Sequence, residues 1–557
     1  MKRTVFKALT WLLAAVLTFG SLAACTDESA DQTKYLPVTV FDGSSLLYSI
    51  VRPRASSDEV TLIADGLAEK LSELTSTEVK PVSDLLSKDE STKNANPEIL
   101  LGLTERDESA AAHERLRYND WSVTVTEYKI LISAHLPENL KLAADWFVSK
   151  LTKGSDGKIT LGEVYTHSSE GGISLEIDGA PVSDFVLVTA EKATEKETAF
   201  AEKFRLEIAQ KTNVVLKTVT DKTEKAEHEI VVGNTSRGTA KAVNEFGYSA
   251  EISDGSLYLN AGCTTAYDAL LSEITAKYLK DKTDVTSDSA ISGEIASDLR
   301  FMSSNVCFTE DYDNEYRMHC LAETYLKYKP DVLCLQEARP ELTSMITSII
   351  GSSYATVPFT GTDRPLVYQQ MLYRSDLFEL VDYGFTRFRE NVIPWGVSWA
   401  VLKRISDGKQ FCAMSTHYSI ITDTYDPGEQ NNVKGVELRK NDTETVLGVI
   451  EAVRSSYAEI PVILGGDFNA NMGSDDLRAL DRSEFMRNAI ETADIYANKN
   501  THTAHDFSIM PHTGTGMIDH IYTSTDTVTV LRQDLVADGV VIQGSDHCPV
   551  YADVILR

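Results

Sequence analysis

The chain has 557 residues, 42% of them apolar and 24% charged, with a net charge of −30. That apolar share is what packed cores need, so a wholly disordered chain is excluded. Residues 301–557 alone carry 21 Lys/Arg against 36 Asp/Glu with no basic cluster. This argues against tight non-specific binding of duplex nucleic acid through a positive surface, though not against a nuclease working through a bound metal.

In chain order, residues 1–24 read as a signal segment. Met1-Lys2-Arg3 and Lys7 give a basic start, and Ala8 to Gly20 is an apolar stretch too short to span a bilayer comfortably. Leu22-Ala23-Ala24-Cys25 resembles a bacterial lipobox. That resemblance implies export and a lipid on Cys25 that anchors the protein to the cell membrane. Residues 25–39 then read as a tether, with Thr26 to Lys34 polar, acidic and rich in small residues.

An internal repeat follows. Pro97-Glu98-Ile99-Leu100-Leu101-Gly102-Leu103-Thr104-Glu105-Arg106 recurs as His228-Glu229-Ile230-Val231-Val232-Gly233-Asn234-Thr235-Ser236-Arg237. Each copy follows a helical stretch, near 58–75 and 191–210. Each precedes a two-strand signal, Trp121–Thr126 with Lys129–Ala134 and Tyr248–Ile252 with Ser256–Asn260, the latter with Asp254-Gly255 as its hairpin turn. Each closes with a second helix, Asn139–Leu151 and Thr265–Leu279. The pattern predicts two small tandem α/β modules, residues 40–155 and 175–285. They lack His/Cys clusters and phosphate-cradling glycine loops, and are expected to be scaffold or a binding surface, with surface glycan as the candidate partner. Arg106 and Arg237 are expected to tie a loop. Lys280 to Ser297, charged and rich in Ser, Asp and Thr, reads as a linker.

From residue 298 onward, apolar strand-like runs repeatedly end in polar residues. Met302-Ser303-Ser304-Asn305 delivers Asn305, Asp331-Val332-Leu333-Cys334-Leu335-Gln336-Glu337 delivers Glu337, and Phe411 to His417 delivers His417. Ile460 to Gly465 leads into Gly466-Asp467-Phe468-Asn469. Met517-Ile518-Asp519-His520 carries Asp519, and Gly544-Ser545-Asp546-His547 carries Asp546 and His547. Acids and histidines at apolar strand ends are costly to bury unpaired, so the set together points to one metal-centred cluster. Cys307, Cys320, Cys334, Cys412 and Cys548 show no zinc spacing and are expected to be free thiols.

These motifs, in this order, make residues 299–557 resemble the endonuclease/exonuclease/phosphatase superfamily. P-D-V-L-C-L-Q-E and S-D-H-C-P-V resemble the apurinic endonucleases. The T-H motif at His417 is closer to deoxyribonucleases, neutral sphingomyelinases and deadenylases. The resemblance implies an α/β fold for residues 298–557, a four-layered sandwich of two packed mixed sheets flanked by helices, after the two tandem modules. It also implies metal-dependent phosphoester hydrolysis. Glu337, Asn305 and Asp546 would lie at the metal, Mg2+ by default with Mn2+ or Ca2+ as alternatives. Asp467 would orient the attacking water, Asn469 would donate to phosphate, His547 would face the scissile phosphate with its tautomer fixed by Asp519, and His417 would be a second donor. The chain departs from the family where an acid normally supports the second histidine. Gln369 or Gln370 is expected to substitute for it.

Trp399 is expected in the core, while Trp395 reads equally as core or as substrate groove. His502, His505 and His512 crowd the loop before Asp519, as a solvated loop or a second metal site. The leading expectation is an exported, lipid-anchored phosphodiesterase acting on nucleic acid, a phospholipid headgroup or a small phosphodiester. Alternatives are a sphingomyelinase-like phospholipase C, a sugar- or inositol-phosphate phosphatase, or a surface-binding protein with a non-catalytic C-terminal scaffold.

Overall fold

The computed structural model describes residues 33–85, 96–238, 241–309, 313–359, 367–389, 395–420, 430–498, 502–505, 507 and 516–557. Cys25 and its motif, and His512, lie outside them. The chain divides into two compact units, one of the described residues up to Gly262 with Ala266–Gly293, the other of Cys263–Thr265 with Glu294–Arg557.

The first unit holds two six-stranded sheets of matching order. One runs Val82–Ser83, Ser49–Arg52, Glu98–Leu101, Lys129–Ala134, Trp121–Val125, Tyr165–His167. The other runs Lys217–Thr220, Val186–Thr189, Glu229–Val232, Ser256–Ala261, Gly247–Ser253, Ile291–Glu294. In each, parallel strands lead to one antiparallel hairpin. Asp254 and Gly255 both adopt positive φ, the turn that hairpin requires. Helices Asp58–Thr75 and Pro137–Ser149 bury Leu67, Leu71, Leu140 and Phe147 on the first sheet. Helix Glu195–Thr212 of the second starts in a capping box of Thr194 and Glu197, which satisfies two orphan backbone donors. Arg106 ties its loop by a bidentate pair to Glu98.

The stretch read as a linker is built into this unit. Thr283–Val285 pairs in parallel with Leu175–Ile177, and Ile291–Glu294 edges the second sheet. Val285 and Ile291 are buried. Two short alternating strands among charged residues carry too weak a period to stand out in the sequence.

The second unit is two mixed sheets packed face to face. The first runs Tyr354–Thr356, Gln370–Arg374, Val332–Gln336, Leu299–Asn305, Val550–Leu556, Val528–Leu535, Ile495–Tyr496. The second runs Phe378–Arg387, Gly396–Arg404, Gln410–His417, Val462–Asp467, Asp519–Ser524, Met486–Asn488. Phe301, Ala413, Ile463 and Ile521 meet between the sheets. Met318, Leu321 and Ile346 of helices Asn314–Tyr328 and Pro340–Ile350 cover the first sheet. Val446, Ile450 and Val453 of helix Gln430–Ser456 cover the second, against Cys412, Met414 and Leu464. Glycine at 465 permits the close approach: a Cβ there would sit 2.7 Å from the Phe301 ring and 2.8 Å from Ser303 Cβ. The six described cysteines are free and buried.

Candidate active site

Strand alternation assembles this site. In Leu299–Asn305, side chains of Phe301, Ser303 and Asn305 share the face turned to the other sheet; in Val462–Asp467, Ile463, Gly465 and Asp467 share the facing one. Ser415 and His417 follow Phe411 and Ala413 on the same side, and Asp519 shares the face of Ile521. The inner faces are apolar along most of their length and turn polar at one end. The apolar slab therefore ends in a cluster of Asn305, His417, Asp467 and Asp519, all at most 2% exposed.

Glu337 joins the cluster by breaking the alternation. Gln336 already faces inward, donating to Ser415 Oγ at 2.9 Å. Glu337 then adopts φ 57°, a left-handed conformation that costs a non-glycine residue free energy and recurs at functional sites. Its Oε2 accepts from Phe308 N at 2.8 Å, and Oε1 lies 3.4 Å from Asn305 Nδ2 and 3.9 Å from His417 Nε2. Asn469 is left-handed too, at φ 48°. Its backbone N donates to Asp467 Oδ1 at 2.8 Å and its side chain to Tyr418 O.

Asp467 Oδ2 is the centre of the arrangement. It accepts from Asn305 Nδ2 at 3.0 Å, with His417 Nε2 at 3.5 Å and His547 Nε2 at 3.8 Å. His547 Nδ1 meets Asp519 Oδ2 at 2.8 Å. Burial disfavours charge on His547, but Asp519, Asp467 and Asp546 together hold its imidazole well above the usual histidine range. Burial pushes Asp519 up, and the His547 charge opposes this. Asp546 borders the cluster, its Oδ1 3.4 Å from Ser545 Oγ. Burial, Asp546 and Glu337 push the Cys307 thiol up to about 12, so it is inert at neutral pH.

Glu337, Asp467 and Asp519 thus converge with Asp546 at the border, and among the described residues the ion-pair partners of the first three are His417 and His547. Such a surplus of negative oxygen donors fits a hard divalent cation. Asp467, Asp519 and His547 bring ligand atoms within 4.8 Å of one another. A cation on that trio would have to replace the 2.8 Å bond between His547 and Asp519. Glu337, partly exposed and with an oxygen held by only a long amide contact, is the better ligand.

Three residues that hold this geometry escaped the sequence reading. Thr503 Oγ1 accepts from Ile518 N and Asp519 N at 3.0 and 3.1 Å. Ser545 Oγ donates to Asn305 O at 2.7 Å. Arg317 donates to Cys307 O and Gly544 O, joining the Asn305 and His547 loops. Ser545 sat inside a motif already noticed, whereas Thr503 and Arg317 carry no local signal.

Other expectations change. Neither Gln369 nor Gln370 supports His417. Gln370 Nε2 donates to Val367 O, and both the Gln369 amide atoms and His417 Nδ1 lack hydrogen-bond partners among the described residues. Trp395 is the buried tryptophan, its ring 5.8 Å from His417, whereas Trp399 is only partly buried, against Gly384. His505 N donates to Asp546 O, so that part of the histidine-rich loop packs on the site.

Residues 302–547 match the sequence profile of the Endonuclease/Exonuclease/phosphatase family. The chain is 28% identical to Nocturnin of Drosophila melanogaster over 180 residues, 29% of this chain and 25% of that protein's length. Among solved structures, a Bacteroides thetaiotaomicron mannosyl-6-phosphatase aligns at 20% identity over 46% of this chain and 99% of its own, with a TM-score of 0.39. The catalytic domain of human Nocturnin with bound sulfate aligns at 21% identity over 46% and 94%, with a TM-score of 0.34.

Proposed function

With the C-terminal unit a member of the Endonuclease/Exonuclease/phosphatase family, we propose that this protein hydrolyses a phosphodiester with the help of a divalent cation, Mg2+ by default. Glu337 and Asn305 would hold the cation, with Asp546 beside them. When bound, it supplies charge neutralisation at the phosphate. The observation that carries this reading is the convergence of Asn305, His417 and His547 on Asp467 Oδ2, with Asp519 behind His547.

The roles follow from the free lone pairs and protons. Asp467 is held rigidly by Asn469 N and Asn305 Nδ2 and accepts the proton of an attacking water. His547, its Nδ1 fixed by Asp519, presents Nε2–H to a phosphoryl oxygen. His417, on the neighbouring strand, offers Nε2 to the same region.

Chelation followed by back-titration with Mg2+, Mn2+ and Ca2+ on bis(p-nitrophenyl) phosphate, a mononucleotide monoester, a sugar phosphate and sphingomyelin tests the reading. Diester hydrolysis that vanishes on chelation and returns with Mg2+ supports it. Hydrolysis unaffected by chelation, or confined to monoesters, overturns it.

Export and anchoring through Cys25 belong to the same proposal, supported by the Leu22–Cys25 motif, with surface glycan as a candidate partner of the N-terminal unit. Radiolabelled palmitate entering the wild-type chain but not Cys25→Ala in a bacterial host is the expected result. No label in the wild type would refute the anchor.

A further inference from the structure

The two matching sheets of the N-terminal unit differ in charge at a buried position, Lys129 in one and Ser256 in the other. In the first, Glu98 begins its strand and pairs in register with Lys129, which is fully buried. Lys129 Nζ donates to Glu98 Oε2 and to Asn96 O, both at 2.8 Å, while Arg106 grips Glu98 through Nε and Nη2 at 3.1 and 2.9 Å. Asp84 lies beside them, its Oδ atoms accepting from Arg54 N and Glu105 N. Two buried acids thus face two bases.

The second sheet repeats every part but one. Glu229 replaces Glu98, Arg237 replaces Arg106, and Asp221 replaces Asp84, accepting from Glu191 N and Ser236 N in the same way. The registers Ile99 with Ile130 and Ile230 with Leu257 place Ser256 at the position of Lys129. Glu229 and Ser256 are both fully buried. Arg237 makes one contact with the acid, Nε to Oε1 at 3.3 Å, where Arg106 makes two. Glu229 Oε1 accepts from Ala226 N at 3.0 Å, whereas Oε2 has no hydrogen-bond partner among the described residues, and neither have Ser256 Oγ and His228 Nδ1. Here Glu229 has one ion-pair partner among the described residues, Arg237.

We infer that the second module binds a monovalent cation, K+, Na+ or NH4+, between Glu229 and Ser256, where the first module places the Lys129 ammonium. A buried carboxylate short of one positive charge is costly, and an ion in contact with it removes that cost. The donors suit a small hard cation: a carboxylate oxygen, a hydroxyl, and by correspondence with Asn96 the carbonyl of Glu227. A lysine side chain spans from its own strand to the acid. Serine at the same position is too short to bring a charge to the acid, and the ion would stand in for that ammonium.

The test is hydrogen–deuterium exchange of segments 229–237 and 256–261 in the full protein, in KCl, NaCl, NH4Cl and tetramethylammonium chloride at equal ionic strength. Tetramethylammonium is too large to enter. A cation at ten times its Kd slows exchange through opening of the site about tenfold. The parent protein is expected to show that slowing in at least one small cation, while Ser256→Lys and Glu229→Gln exchange equally in all four salts. Equal exchange of the parent in the four salts would mean that water or nothing serves Glu229, and would overturn the inference. So would ion dependence that persists in Glu229→Gln, a variant that decides the matter even if Ser256→Lys does not fold.

Discussion

Glu337 and Asn469 reach the candidate site through left-handed backbone, not through strand alternation. Each has a reason to hold that conformation: Phe308 N is bonded to Glu337 Oε2, and Asn469 N to Asp467 Oδ1. On the proposed roles, Glu337→Gln should weaken the cation, so that part of the lost activity returns at raised Mg2+. His547→Ala should lower kcat by about 10²–10⁴-fold with little change in the Mg2+ requirement, because it removes a donor to the phosphate and leaves the cation ligands in place. Asp519→Asn should fall in the same direction, since Asp519 orients the His547 ring and helps to hold it protonated. Mg2+ titrations of the four proteins on one chromogenic diester separate these outcomes, and full activity in His547→Ala would refute the mechanism. Ser545 and Thr503 act through others, so Thr503→Val should lower kcat through Asp519 while KM holds.

At the scale of elements, the sheet interface is tightest where the second sheet has glycine. Gly465→Ala would place a methyl 2.7 Å from Phe301, in a core already close-packed, and should cost about 1–3 kcal/mol. Urea unfolding measures this. Activity should fall as well, because the displaced strands end in Asn305 and Asp467. Gly466 is constrained within its own sheet instead, its Cβ position 2.3 Å from Thr416 O. By contrast Gly473, with nothing within 4 Å, should accept alanine at the cost of its positive φ alone.

At the scale of the whole molecule, the two units should be separable in experiment. Asp298 belongs to the C-terminal fold: it accepts from Leu556 N and pairs with Arg404. A chain starting at Ser297 keeps these contacts and is expected to fold and hydrolyse a small soluble diester. Loss of both on truncation would show that the N-terminal unit is part of the catalytic body. The N-terminal unit should be sensitive to acid. His113 and His135 meet edge to face with ring centroids 4.0 Å apart, and burial, the partner histidine and Arg205 push His113 down to about 4; burial lowers His135 likewise. A histidine whose folded value is depressed favours folding above its unfolded value near 6.5, and that contribution is lost as pH falls toward 4. For His113 it amounts to about 3 kcal/mol at most. Calorimetry between pH 7 and 4 should show one transition moving down, with a shallower slope in His113→Gln.

The sequence by itself determined the components. Apolar runs ending in Asn305, Glu337, His417, Asp467 and Asp519 marked the site because polarity at the end of a buried strand is a local signal. The repeat marked the paired sheets because homologous strands and turns share local patterns. The tertiary structure decided what meets what. That Asp467 rather than Glu337 lies at the centre, that Thr503 and Arg317 hold the site from elsewhere in the chain, that Trp395 is buried and Trp399 is not, and that Gln369 leaves His417 Nδ1 unsupported all depend on contacts between the two sheets and on loops packed over their ends. Thr283–Val285 and Ile291–Glu294 became strands only because partner strands existed to receive them. A one-dimensional pattern records which way a side chain faces along its own strand. It does not record which strand lies opposite, and it is the opposite strand that completes the candidate site.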